Sequence, residues 1–347
     1  MSRSSLVALL CALAVCGGAF VNPVKIKEGT LAAVNKAENT LSLIDLATGK
    51  THVKLPTGLH PQEVVFSPDG SLGVVSNMGH GGASMGKTLT LVDLGNQKVK
   101  GEIELGDHGA PHGLIFLDNN TLLYTSHQSD SLVSVNLTVN KVDKVVSSGG
   151  RGTHLVVLAP DKKTAYTVNA VSQDVSVIDL ATWKVTKRIA CGVRAEGISI
   201  SPDGRQVAVG NMGGNTVSII DTAKNEVVKT LEGTLAPIRT FFTSDSSKLL
   251  VSCAATGDLA VFDAKTHKEI KRIPLGDIKD LKLVQGPNPI PMNFDRHPAG
   301  GSFFVVIINA NAVVMFDEAN LKVEKVFSTG NLPDGIGVTG AKPRIGA

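Results

Sequence analysis

Three residues able to bind a metal or move a proton recur at one interval: His112, His154 and Glu196 follow each other at steps of 42. Two imidazoles and a carboxylate with an open fourth position suit Zn²⁺ or another divalent ion such as Cu²⁺ or Ca²⁺, which would polarise a substrate or activate water. Without a metal, the same trio would serve as general acid and base, because histidine titrates near neutral pH. Asp334 and Gln62 fall in the same register and complete much of a ring, with Asp334 a fourth metal-ligand candidate. The competing reading is a hydrated mouth whose polar groups bridge through ordered water.

For positions so far apart in the chain to converge, the chain must be circular in space, and its repeats say that it is. Phe66-Ser67-Pro68-Asp69-Gly70 returns as Ile200-Ser201-Pro202-Asp203-Gly204, with weaker copies at Leu158-Ala159-Pro160-Asp161, Leu117-Asp118-Asn119-Asn120 and Thr243-Ser244-Asp245-Ser246. Each joins two short apolar runs through a Pro-, Asp- or Gly-rich turn, a strand-turn-strand pattern. The residues seven places before the turn Asp or its equivalent are Gln62, His112, His154, Glu196, Ile238, Met292 and Asp334, at steps of 50, 42, 42, 42, 54 and 42. A second series of strands ends at Asp45, Asp93, Asn136, Asp179, Asp221, Asp263 and Asp317. Seven copies in two registers, four Val- and Ile-rich strands per unit and no helical amphipathic period predict an all-β, seven-bladed β-propeller. Residues 30 to 55 supply only three strands and residues 334 to 340 only a first one, so the C-terminal strand is expected to close the N-terminal blade and remove open edges from the ring.

The chain resembles the YVTN-repeat propellers, whose name is nearly spelled out in Tyr166-Thr167-Val168-Asn169. The equivalent Asn recurs at Asn35, Asn77, Asn211 and Asn309, with His127 and Cys253 in its place in two blades. The resemblance covers roughly residues 30 to 340. It extends to propellers that carry haem d1 or partner a quinone-bearing subunit in periplasmic oxidoreductases. The absence of Cys-x-x-Cys-His rules out covalently attached haem. No Gly-x-Ser-x-Gly nucleophile elbow is present either.

Both departures from the 42-residue period fall in loops of one face, the top: the stretch from Asn77 to Lys87, and the segment Asp277 to Pro291. Extra loop length on a rigid scaffold is a usual place for function. His60, His80, His108 and His127 map to top-face loops or strand ends, whereas His52, His267 and His297 lie elsewhere. The Gly79 to Gly86 stretch lacks the phosphate-loop Gly-Lys-Ser/Thr pattern and reads as a flexible surface loop. The Lys-rich runs at Lys184 to Arg188 and Lys268 to Arg272 read as charged blunting of outer blade edges.

Met1-Ser2-Arg3, an apolar run from Leu6 to Cys16 and then Gly17-Gly18-Ala19 form the pattern of a signal peptide, with cleavage expected after Ala19 and a domain from 20 to 340 followed by a short tail, 341 to 347. The apolar run is shorter than the roughly 20 residues a membrane helix needs, so no transmembrane segment is expected. Leu13-Ala14-Val15-Cys16 approaches a lipidation box, with Val15 a poor fit. The expected location is periplasmic or secreted. Cys191 and Cys253 remain after cleavage, on blades that are not neighbours, which argues against a bridge. A net charge of +3 with scattered lysines, and 4% aromatic residues, speak against a nucleic-acid partner.

The leading functional expectation is a non-enzymatic binding or scaffold protein that holds a protein partner or small ligand on its top face, as in a subunit of a periplasmic redox complex. The alternatives are a metal-dependent lyase, hydrolase or lactonase using His112, His154 and Glu196, and a DNA-binding periplasmic protein.

Overall fold

The computed structural model describes residues 28–342. The expected signal peptide and residues 343–347 of the expected tail lie outside them.

Twenty-eight strands, β1 (Thr30–Asn35) to β28 (Pro333–Thr339), form seven four-stranded antiparallel sheets. Blade 1 is β4 (Pro61–Phe66), β5 (Leu72–Gly79), β6 (Met85–Asp93) and β7 (Lys98–Glu104). Blades 2 to 6 follow in groups of four, ending with β24 (Pro291–Arg296) to β27 (Val323–Ser328). Blade 7 pairs β28 with β1, then β2 (Thr40–Asp45) and β3 (Thr51–Pro56), so the C-terminal strand closes the N-terminal sheet as expected.

The strand pattern follows burial. Middle strands such as β10 (Ser131–Asn136) and β21 (Lys248–Cys253) are buried almost throughout, because neighbouring blades cover both of their faces. Most outer strands instead expose alternate positions and hold one apolar anchor, as Ile103, Ile189, Leu231 and Ile273 do. Each third strand ends on the Asp or Asn read from the sequence, whose side chain accepts a backbone N–H of the next turn: Asp263 Oδ1 from Thr266 at 2.6 Å, Asp179 Oδ1 from Thr182 at 2.7 Å. These local bonds stop the strand and start the hairpin.

The repeated Asn has a structural task. Asn211 Nδ2 donates to Thr216 Oγ1 and Ser218 Oγ at 3.0 and 2.9 Å, while its Oδ1 accepts Gly192 N at 3.0 Å, stapling one hairpin to the incoming loop. Asn35 does the same with Thr40, Ser42 and Gly330. In blade 2 the register gives this position to Ser126, opposite Pro111, and not to His127. His127 is one residue further on, in the turn, and free of the staple's bonds. The insertion after Asn77 is not an irregular loop. β5 and β6 extend into it, Gly79 pairs with Met85, and a single 3₁₀ turn, Gly82–Ser84, caps the hairpin.

Cys191 and Cys253 are both free thiols. Burial pushes each up to about 12, so they are inert packing groups.

Candidate functional site

The innermost strands β4, β8 (Pro111–Asp118), β12 (Thr153–Leu158), β16 (Ala195–Ile200), β20 (Pro237–Phe242), β24 and β28 line the hub. Gln62, His112, His154, Glu196, Ile238, Met292 and Asp334 are the second residue of each, as the sequence register requires. All seven inner pairs shift register at this point, with one extra residue in the inner strand. A regular strand sends consecutive side chains to opposite faces, whereas a bulge re-aims one of them. The second and third residues therefore both serve the channel. Ser76, Thr125 and Ser252, opposite three of the bulges, accept the N–H of Glu63, Gly113 and Arg239 at 3.0, 2.9 and 2.8 Å. The backbone donor stranded by the bulge is thereby satisfied.

The second residues build a mouth. His112 and His154 rings lie 4.0 Å apart, and His127 joins them from its turn at 5.8 and 5.3 Å. His154 Nε2 is 3.6 Å from Glu196 Oε1, and Arg194 Nε donates to Glu196 Oε2 at 3.2 Å. The trio read from the sequence does converge. His154 Nδ1 lies 3.0 Å from the Glu196 carbonyl oxygen, which fixes the tautomer that donates from Nδ1.

Asp334 does not join this group. One of its oxygens pairs with Lys36, whose Nζ also donates to Gln62 Oε1 at 3.3 Å. Gln62 Nε2 in turn meets His60 Nδ1 at 3.0 Å, and the His60 and His80 rings are 4.4 Å apart. The mouth thus has a carboxylate–lysine–amide side on blades 7 and 1 and a histidine side on blades 2 to 4. His108 is spent on Ser129 Oγ at 3.0 Å. His297 holds the start of the described chain through Glu28, and His267 bonds Gln206.

Burial dominates the electrostatics. It pulls His112 well below the usual histidine range, helped by His154, Arg239, His127 and Lys36. It also pulls His154 and His127 down, against the opposing pull of the Glu196 charge. Burial pushes the Glu196 carboxyl up, but His154, Arg239 and Arg194 together outweigh it and hold it down. At neutral pH the mouth therefore presents uncharged imidazoles beside an ionised carboxylate. His112 Nδ1, His127 Nε2 and Asp334 Oδ1 are enclosed without a hydrogen-bond partner.

The third residues form a plug that the sequence reading missed. Glu63 of blade 1 meets Arg239 of blade 5 at 3.3 Å, on blades as far apart as a seven-membered ring permits. Asn293 of blade 6 donates to Glu63 Oε2 at 2.7 Å. Elsewhere in this ring stand Gly113, Gly197 and Gly335, where a Cβ would strike the neighbouring inner strand. The only signal was chemical: Glu63, Arg239 and Asn293 are polar third residues, where Leu155 and glycines stand in the other inner strands. Burial pushes Glu63 up to about 7 despite Arg239, and Asp295 up to about 7 despite two backbone N–H donors. Beyond the plug a cavity of about 390 Å³ continues along the channel, lined by Arg239, Thr240, Ser199, Asn293, Asp295 and Arg296.

Among the described residues no three His, Cys, Asp or Glu side chains are disposed to hold a metal ion, so the trio does not form a preset Zn²⁺, Cu²⁺ or Ca²⁺ site. His154 Nε2, the nitrogen left for coordination, instead faces the Glu196 carboxylate.

Around the polar mouth, the top-face loops expose large apolar side chains. Leu59, Val171, Val193, Leu235, Val284 and Leu332, between 37% and 69% exposed, come from six different loops. No helix among the described residues is long and apolar enough to cross a membrane.

Comparison with known proteins shows a fold similar to that of other bacterial propellers. Residues 159–281 match the YNCE-like beta-propeller family. A curated relative, antigen Lp49 of Leptospira interrogans, is 22% identical over 234 residues, 64% of this chain and 51% of its own, so the chain spans about half the length of that relative. Among solved structures, Kuenenia stuttgartiensis hydrazine synthase superimposes with a TM-score of 0.68 at 20% identity, covering 82% of this chain and 91% of the other. A functionally unknown protein from Desulfotomaculum acetoxidans gives 0.73 at 15%, covering 90% and 99%. Dihydro-heme d1 dehydrogenase NirN in complex with DHE gives 0.65 at 15%, covering 89% and 75%. At these identities the likeness concerns the fold: a seven-bladed propeller related to YNCE-like and other bacterial propellers.

Proposed function

We propose that this chain is an extracytoplasmic YVTN-type propeller that works as a binding scaffold, holding a protein partner on its top face within a redox complex. The observation that carries this reading is the rim of Leu59, Val171, Val193, Leu235, Val284 and Leu332 around a polar mouth. Apolar side chains scattered singly over a surface are ordinary, but gathered on one face around polar groups they mark a docking site. The structural likeness to hydrazine synthase and to a dihydro-heme d1 dehydrogenase supports the redox setting.

The test is affinity purification of the full chain from its native host, beside the variant Leu59→Lys/Val193→Lys/Leu235→Lys. The expected result is a stoichiometric protein partner with the wild type, lost in the variant with no change in melting temperature. A wild-type chain that purifies alone, or a partner retained equally by the variant, would overturn the reading.

The convergence of His112, His154 and Glu196 supports a second reading, a metal-dependent lyase, hydrolase or lactonase. It requires His154 Nε2 to leave Glu196 and a third ligand to approach. Stoichiometric Zn²⁺ lost on His154→Ala would favour it.

A further inference from the structure

Three nitrogens at the hub lack partners although the side chains bearing them are packed together. His112 is 5% exposed and its Nδ1 is enclosed. His127 Nε2 is enclosed in the same way, on a ring 5.8 Å from that of His112. Arg239, also 5% exposed, spends its terminal nitrogens on Glu63 and the Ile238 carbonyl and leaves Nε enclosed and unmatched. Arg239 lies close enough for its charge to act on His112, His154 and Glu196. Leaving one such buried group unsatisfied costs about 1–3 kcal/mol, so three of them at the hub are poised for a partner that reaches them from the mouth.

The chemistry of that partner follows from what the three nitrogens offer. Arg239 donates only, and neutral imidazoles turn an N–H toward an acceptor by choice of tautomer. The common need is an acceptor. The charge balance leans the same way: Arg194 offsets Glu196 and Lys36 offsets Asp334, while Glu63, the carboxylate paired with Arg239 among the described residues, is itself half protonated near pH 7. A metal cation would meet the incompletely neutralised Arg239. A planar oxyanion would be drawn by that charge, and both the Nε–H of arginine and an imidazole N–H are donors suited to a carboxylate oxygen.

We propose that the mouth of the channel is a carboxylate-binding site, with Arg239 Nε, His112 and His127 as donors. The carboxylate has two sources, a free organic acid or an acidic side chain or C-terminus of a docked protein, and the site as such stands apart from the docking reading.

The experiment is titration of the full chain with acetate, succinate, inorganic phosphate, methylammonium and Zn²⁺, and with a short peptide bearing a free or an amidated C-terminus. Calorimetry gives affinity, and histidine ring NMR reports the site. Saturable carboxylate binding is expected, several-fold tighter at pH 6 than at pH 8 because Glu63, which titrates at about 7, gives up its charge and leaves Arg239 to the bound anion. His112→Phe and His127→Phe are each expected to weaken it at least tenfold; they keep the test open should Arg239→Lys fail to fold. Tighter binding of small acids than of the peptide assigns a free acid, and a free-carboxylate peptide that outbinds both the amidated peptide and the acids assigns a protein terminus. Binding by none of the carboxylates, tighter binding of phosphate than of any carboxylate, or stoichiometric Zn²⁺ at the same rings would overturn the proposal. A partner that still purifies with the wild type in that event would leave the docking reading intact.

Discussion

The second and third residues of the inner strands are one position apart, yet the rings they form differ in kind. In the third ring, Arg239 and Asn293 both bond Glu63 across the axis. In the second, Lys36 joins Asp334 to Gln62 and His154 faces Glu196, but His112 Nδ1 and Asp334 Oδ1 are left open. Paired polar groups in a dry hub lock the ring, because separating them strands a charge. Unpaired ones contribute nothing to the lock and oppose folding until something external meets them. The third ring is therefore built for the fold and the second for a ligand, with Arg239 Nε the one atom of the plug left to serve both.

The largest effect should come from breaking the plug. Arg239→Met leaves Glu63 enclosed without its cation and is expected to lower stability by about 3 kcal/mol in urea denaturation, with much of that recovered by adding Glu63→Gln. A loss under about 1 kcal/mol would mean that the pair is not a lock.

pH should separate the two rings next. Glu63 and Asp295 titrate at about 7 in the folded protein, above the ordinary 4.5 and 3.8, so the folded state holds protons that the unfolded chain has released. Their contribution is complete below those ordinary values and is lost as pH rises through 7. His112 and His154 are depressed below 6.5, so theirs is complete above 6.5 and is lost as pH falls below it. Glu63→Gln should flatten the decline in stability between pH 5 and 8 by about 2 kcal/mol, while His112→Phe should flatten the decline on the acid side. Indistinguishable profiles for the two variants would erase the distinction between the rings.

The smallest effect carries the opposite sign. His127→Phe removes an enclosed unpartnered nitrogen and should raise the urea midpoint, by about 1 kcal/mol of stability. A destabilised variant would show that His127 already has what it needs.

Much of this was legible beforehand. The strands ending at Asp45, Asp93 and their counterparts, the seven second residues from Gln62 to Asp334 and the closing strand all rest on local period and turn chemistry, which repeat faithfully along the chain. His127 was misplaced by one residue because its neighbour Ser126 takes the staple position without being Asn. Lys36 escaped notice because a lone lysine in a turn gives no hint that it will bridge Asp334 and Gln62.

By itself the sequence determined the blade count, the register and the residues that ring the mouth, since each depends on contacts within about one repeat. Tertiary structure alone decided which of those residues find partners. A bulge of one residue brings a second set of side chains to the axis, and closure sets Glu63 against Arg239 from positions 176 apart. Burial at the hub then settles which groups are charged. No local pattern reports any of these, because each depends on what the rest of the ring places opposite.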